Sequence, residues 1–260
     1  QEYQAKTPNL NVQYVDPDQN PALAQKYDNA IPGTLVFEKG TRTEKVYSPY
    51  DENGLTNAIL KVTQSQQPAI YFTTGHGEFS PAETGDTGLS AIEDYLKQIN
   101  YKVDVLNPAT ISGTLPADTS AIVIAGPTKL FSPDNDQLFK NYLDKGGRVL
   151  LMTTPNATFG LTDTLKAWGM QPEKNLILEP QQNYYGTAPE PVFSQFPTSP
   201  VTQDMQGLGV FFPGVSSITK LGDDSASTGT ATALFTTTAD SCAKTDLAAL
   251  ANQTQIQCDS

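Results

Sequence analysis

Apolar positions follow two regimes along this chain. Up to about residue 65 they come in short, mixed runs. Leu10 to Val15 alternates apolar and polar as a half-buried strand does. Asn20-Pro21 then supplies an N-cap and a proline at the first helical position, so Ala22 to Tyr27 is expected to be a short helix. Gly33 to Glu38 reads as a second strand, and Lys39-Gly40 as a hairpin turn into Arg42 to Tyr47. Asp51 is placed to cap a helix whose Leu55, Ala58, Ile59 and Val62 share one face. Gln64-Ser-Gln-Gln-Pro68 breaks that helix and marks a domain boundary, giving a first unit over 1–65 and a second over 66–260.

From residue 69 the pattern alternates strand with helix. Ala69 to Thr73 is an apolar strand, and Leu89, Ile92, Leu96 and Ile99 space out a helical face. Tyr101 to Leu106 is the next strand. Ala121 to Ala125 is apolar throughout, as strands covered on both faces are. Ser132-Pro133 opens a helix with Leu138, Phe139, Tyr142 and Leu143 inward, and Gly146-Gly147 stops it. Arg148 to Thr153 is a strand, Leu161 to Trp168 a helix and Asn175 to Leu178 a strand. Such alternation predicts a parallel sheet with helices on both sides. Residues 181–222 are rich in Pro, Gly, Gln and Tyr and predict no regular element. Ala231 to Thr237 is expected to rejoin the sheet as a strand, and the chain from Asp240 to end in a helix and loop.

Charge narrows the partners. With 16 Lys+Arg against 28 Asp+Glu the net charge is -12, which disfavours nucleic acid and anionic membrane surfaces, since both need a basic footprint. No run approaches a transmembrane span, no signal peptide stands at the start, and Gln1 is not an initiator, so the chain reads as a soluble segment cut from a longer protein. Cys242 and Cys258 lie 16 positions apart. That spacing fits a local disulfide and an oxidising compartment; two buried free thiols are the other reading.

The densest candidate chemistry follows the strand Ala69 to Thr73, where the chain reads Thr74-Gly75-His76-Gly77-Glu78 and His76 is the only histidine. Open α/β sheets bind ligands beyond the carboxyl ends of their strands. The candidate contacts are therefore Thr74, Gly75, His76, Gly77 and Glu78, with Asn107, with Gly126, Pro127 and Thr128, and with Thr153 and Thr154. A hydrolase of the amidotransferase type needs a nucleophile on the elbow after Ala121 to Ala125. Gly126-Pro127 stands there instead, and no histidine follows it. A different hydrolase, on glycans or peptides, would use His76 or Glu78 as acid or base. His76 and Glu78 with Glu83, Asp86, Glu93 and Asp94 would suit a hard cation better than zinc. The structural reading is that the two glycines shape a turn whose polar side chains bond to neighbouring loops. No phosphate-binding fingerprint is present, and no cofactor is expected. Tyr184 and Tyr185, in the irregular segment, are candidates for stacking on a sugar or peptide.

Several stretches in order resemble one family. Val12-Gln-Tyr-Val-Asp-Pro-Asp-Gln-Asn-Pro21, the strand from Gly33, Leu55 to Leu60, Tyr71 to Glu78, Ile124 to Pro127 and Tyr142 to Leu151 together are similar to the extracytoplasmic region of GldG-type ABC transporter auxiliary proteins. The resemblance covers about residues 10–240. It implies a soluble, extracytoplasmic region, periplasmic or cell-surface, tethered by membrane segments elsewhere in the full-length protein, working beside an ABC permease and ATPase. It also implies a flavodoxin-like, class I glutamine amidotransferase-like α/β domain without catalytic residues, as in a ciliary intraflagellar transport subunit. The first unit, as β-α-β-β, resembles the C-terminal half of a thioredoxin fold and lacks the cysteine-bearing half. The function implied is a non-enzymatic auxiliary module that docks transporter components or holds a small ligand or glycan. The cysteine pair is not part of that resemblance.

Overall fold

The computed structural model describes residues 2–260 apart from 86–87, 112, 156, 185, 223–228, 251–257 and 259–260. The chain divides into two units, Gln1–Gln67 with Leu96–Tyr101, and Pro68–Tyr95 with Lys102–Ser260.

The first unit holds helices α1 (Glu2–Lys6) and α2 (Pro21–Lys26), an antiparallel hairpin of β1 (Leu35–Lys39) and β2 (Arg42–Val46), and helix α3 (Glu52–Thr63). The Asp51 carboxylate accepts the Gly54 N–H at 2.6 Å and starts α3, which buries Ala58 and Val62. The segment Leu10 to Val15 is not a strand. Among the described residues no neighbouring strand bonds to it, and Val12, Tyr14 and Val15 are exposed. Alternation alone does not make a strand; its amides and carbonyls need a ladder. The expected β-α-β-β order therefore loses its first member.

The second unit is built on a parallel sheet of β3 (Ala69–Thr73), β4 (Lys102–Leu106), β5 (Thr119–Ala125) and β6 (Val149–Met152), in the order β4-β3-β5-β6. Helix α4 (Ser90–Gln98), with residues in both units, follows β3, and α5 (Pro133–Asp144) follows β5. A capping box starts α5: the Ser132 hydroxyl accepts the Asn135 N–H at 3.2 Å and the Asn135 side chain accepts the Ser132 N–H at 3.3 Å. The main core gathers Ile122 and Ile124 of β5 with Phe131, Phe139, Phe159 and Leu161, and Val149, Leu151 and Tyr142 pack against it. These residues alternate along β5 and β6, so one sheet face meets α5, as period-2 patterning requires.

After α6 (Thr162–Ala167) the parallel regime ends. β8 (Leu176–Leu178), expected as a further strand of the alternating pattern, does not extend the sheet, and neither does β7 (Met170–Pro172), which the pattern did not predict. Strands β9 (Asn183–Tyr184), β10 (Thr187–Phe193) and β11 (Val210–Phe211) form an antiparallel sheet; β7 pairs with β12 (Ile218–Lys220) and β8 with β13 (Cys242–Lys244), both antiparallel. Residues 181–222 thus hold regular strands that composition did not predict. Residues 231–237, expected as a strand, form none. Phe235 instead packs its ring against Phe193, Phe196 and Phe212, so side-chain burial rather than a ladder anchors that stretch. The chain from Asp240 begins as β13 rather than helix, and a short α7 (Leu247–Leu250) follows. A disulfide joins Cys242 to Cys258.

Candidate functional site

The carboxyl edge of the parallel sheet is assembled from four strand ends. Pairing runs on beyond the strands: Thr74 N–H donates to Leu106 O at 2.9 Å, Phe79 N–H to Ala125 O at 2.8 Å, and Gly126 N–H to Met152 O at 2.8 Å. The chain after β3 then folds over the chain after β5. His76 O accepts from both Thr128 N–H at 2.8 Å and Lys129 N–H at 2.9 Å. One carbonyl thus satisfies two amides of the loop that a hydrolase would use as its elbow.

Two glycines permit this approach. Gly77 has φ +82, and a Cβ there would lie 2.1 Å from Thr128 Oγ1; Gly126 has φ +63, and a Cβ there would meet the Phe79 ring at 2.8 Å. Both backbones occupy the left-handed region that side chains disfavour, and both pack too closely for one.

His76 is buried, and its ring stacks on Phe131 with centroids 4.0 Å apart and planes at 29°. Phe131 in turn meets Phe139 edge-on at 5.5 Å, which links the imidazole to the main core. The Glu78 side chain is almost fully buried. Its Oε2 accepts the His76 N–H at 2.6 Å, and its Oε1 lies 3.6 Å from His76 Nδ1. His76 Nδ1, Glu78 Oε1 and Thr73 Oγ1 are buried without a hydrogen-bond partner among the described residues. The dyad is therefore within ion-pair reach yet shut under Phe131, the opposite of an acid/base pair open to a substrate.

The sequence-predicted residues sort into two places. Thr74 to Glu78 and Gly126 to Thr128 meet directly, and Asn107 closes on Gly75, where a Cβ would sit 3.1 Å from Asn107 Oδ1. Asn107 also accepts the Ala109 N–H at 3.1 Å, capping a 3₁₀ turn over Pro108–Thr110. Thr153 and Thr154 instead line a cavity of about 240 Å³ at the end of β6, with residues of α6 and β7. Pro127 is wholly buried at the elbow position and offers no nucleophile. Among the described residues no three His, Cys, Asp or Glu side chains converge to hold a metal ion; Asp86 lies outside those residues. Tyr184 stacks on Phe211 with ring centroids 4.8 Å apart, and Tyr185 lies outside the described residues.

Sequence reading passed over Glu179. It is 1% exposed directly after β8. Burial pushes its carboxyl up, but donors from Thr238, Gln181 and Gln182 outweigh that and hold it below the usual carboxylate range. Oε2 accepts Thr238 N–H at 2.7 Å and Oε1 accepts the Thr238 hydroxyl at 2.8 Å, a clasp between segments 59 residues apart. A glutamate closing the run Leu176-Ile-Leu-Glu179 was the available signal, because a charge ending a buried strand needs partners.

Fold and edge together define an open-sheet α/β domain whose elbow carries proline where a nucleophile would stand. The chain belongs to the ABC transport auxiliary family, described as an ABC-type uncharacterized transport system, which matches residues 67–257. Membership gives it a transport-associated auxiliary role. Among solved structures it is similar to the "mmIFT52 N-terminal domain", at 17% identity and a TM-score of 0.46, over 60% of this chain and 69% of that one. No curated protein matches. No helix among the described residues is long and apolar enough to cross a membrane.

Proposed function

We propose that this chain is the non-enzymatic, extracytoplasmic binding module of a GldG-type ABC transport system, working beside the permease and ATPase of that system. The observation that carries the reading is the closure at the sheet's edge. Flavodoxin-like sheets, with their strands in the order second-first-third-fourth, take ligands in the crevice between the first and third strands. The order β4-β3-β5-β6 has that form, and the loops after β3 and β5 are bonded to each other across that crevice through the His76 carbonyl to Thr128 and Lys129. A domain with that crevice bridged by main chain and Pro127 at its elbow is suited to holding or docking. The Cys242–Cys258 disulfide agrees with an oxidising compartment outside the cytoplasm. A hydrolase working through His76 and Glu78 has less support, since the imidazole is buried with one face stacked on Phe131 and the Glu78 side chain is almost fully buried.

Affinity capture of the full-length membrane protein in mild detergent tests the proposal. The expected result is co-purification of an ABC permease and an ATPase. Recovery of the protein alone, under conditions that keep other ABC complexes whole, would remove the transporter reading.

A further inference from the structure

With the loops after β3 and β5 bonded to each other, a cavity of about 240 Å³ beyond β6 offers a place on this edge for a small molecule. We propose that it binds a small di- or tricarboxylic acid. The inference rests on the binding-module reading and adds the class of ligand to it.

Charge is the first argument. The protein carries a net charge of -12, yet Lys166 and Lys174 both line this one cavity. Among the described residues neither lysine is engaged in an ion pair. The lining holds one carboxylate, Glu173, whose Oε1 accepts the Thr219 hydroxyl at 2.7 Å and Gln171 Nε2 at 3.2 Å, so the two lysines leave it with an excess of one positive charge. A concave site with cations of this kind concentrates anions even on an acidic protein.

Size and polarity supply the second. Drug-sized ligands occupy upward of about 300 Å³, so this cavity takes something smaller. Thr153, Thr154 and Thr158 bring hydroxyls that can donate to carboxylate oxygens, while Phe159 gives an apolar wall for a short carbon chain. Two separate ammonium groups match two carboxylates better than they match one compact tetrahedral anion. As point charges on flexible stems, they adapt to acids of different length.

Isothermal titration of the 260-residue chain at low ionic strength, with succinate, citrate and inorganic phosphate as separate probes, tests this. Saturable binding of citrate or succinate is expected, weaker in added salt because exposed charges are screened. The double variant Lys166→Gln/Lys174→Gln should lower affinity about tenfold, the combined effect of two solvent-accessible ion pairs, with an unchanged unfolding midpoint. Lys145→Gln, at the end of α5 and away from the cavity lining, should bind as the parent does. No saturable binding of either acid, equal affinity in the double variant, or phosphate binding more tightly than both acids would each overturn the proposal. Capture of permease and ATPase by a protein that binds none of the acids would sink this inference alone and leave the transporter reading standing.

Discussion

At the scale of single residues, the turn after β3 is held by glycine and by main-chain bonds more than by its histidine. Gly77→Ala places a Cβ 2.1 Å from Thr128 Oγ1 at φ +82. Left-handed strain and overpacking together should cost about 3 kcal/mol, read as a lower midpoint in urea unfolding. Adding Thr128→Ala should restore about 1 kcal/mol of it by removing the clash but not the strain. Glu179 gives a second expectation. Its folded-state pKa lies below the ordinary value of 4.5, so its contribution is complete above pH 4.5 and falls away as pH drops through 4.5 toward that lower value. Glu179→Gln should cost about 2 kcal/mol at neutral pH, the scale of hydrogen bonds to a charged acceptor, and should flatten the loss of stability below pH 4.5. An acid-unfolding series on both proteins, followed by Trp168 fluorescence, checks it; parallel curves would remove Glu179 as the clasp. Sequence made His76 conspicuous because it was solitary. Glu179 drew no notice because its partner Thr238 is 59 residues away, and local pattern carries no information about such a meeting.

Single elements were legible wherever local chemistry fixes them. Asp51 and Ser132 were each readable as helix starts, and each side chain accepts the amide three residues on. Ser132→Ala should therefore lower stability by about 1 kcal/mol, as a shift in the urea midpoint without a change in its slope. A changed slope would mean that more than the cap was lost. Leu10 to Val15 shows the limit of the same reasoning. Its alternation meets the strand template, but a strand exists only if a neighbour offers a ladder, and that depends on the remaining chain. Residues 231–237 show the complementary case: the Phe235 ring packs into an aromatic cluster while the backbone forms no ladder.

Across the whole molecule, sequence alternation located the four parallel strands but not where the parallel regime stops. β8 looks like a further strand of the same sheet, and β7 was not legible at all. Their partners, β12 and β13, lie far downstream past a segment of weak pattern, and each pairing is antiparallel. The candidate edge was likewise legible as a list of strand ends and not as a division. That Thr153 and Thr154 open on a cavity while Thr74 to Thr128 close on each other follows from the β4-β3-β5-β6 order, which no motif states. The closure also bears on how such a chain can drift. Its fastening runs from the carbonyl of His76 to two amides, so no exchange of side chain at position 76, 128 or 129, short of proline, deletes the atoms that make it. The histidine that draws the eye can change without touching those atoms, whereas any side chain at Gly77 meets Thr128 at a strained backbone. A crevice bridged in this way would be opened by remodelling the loop rather than by a single side-chain exchange.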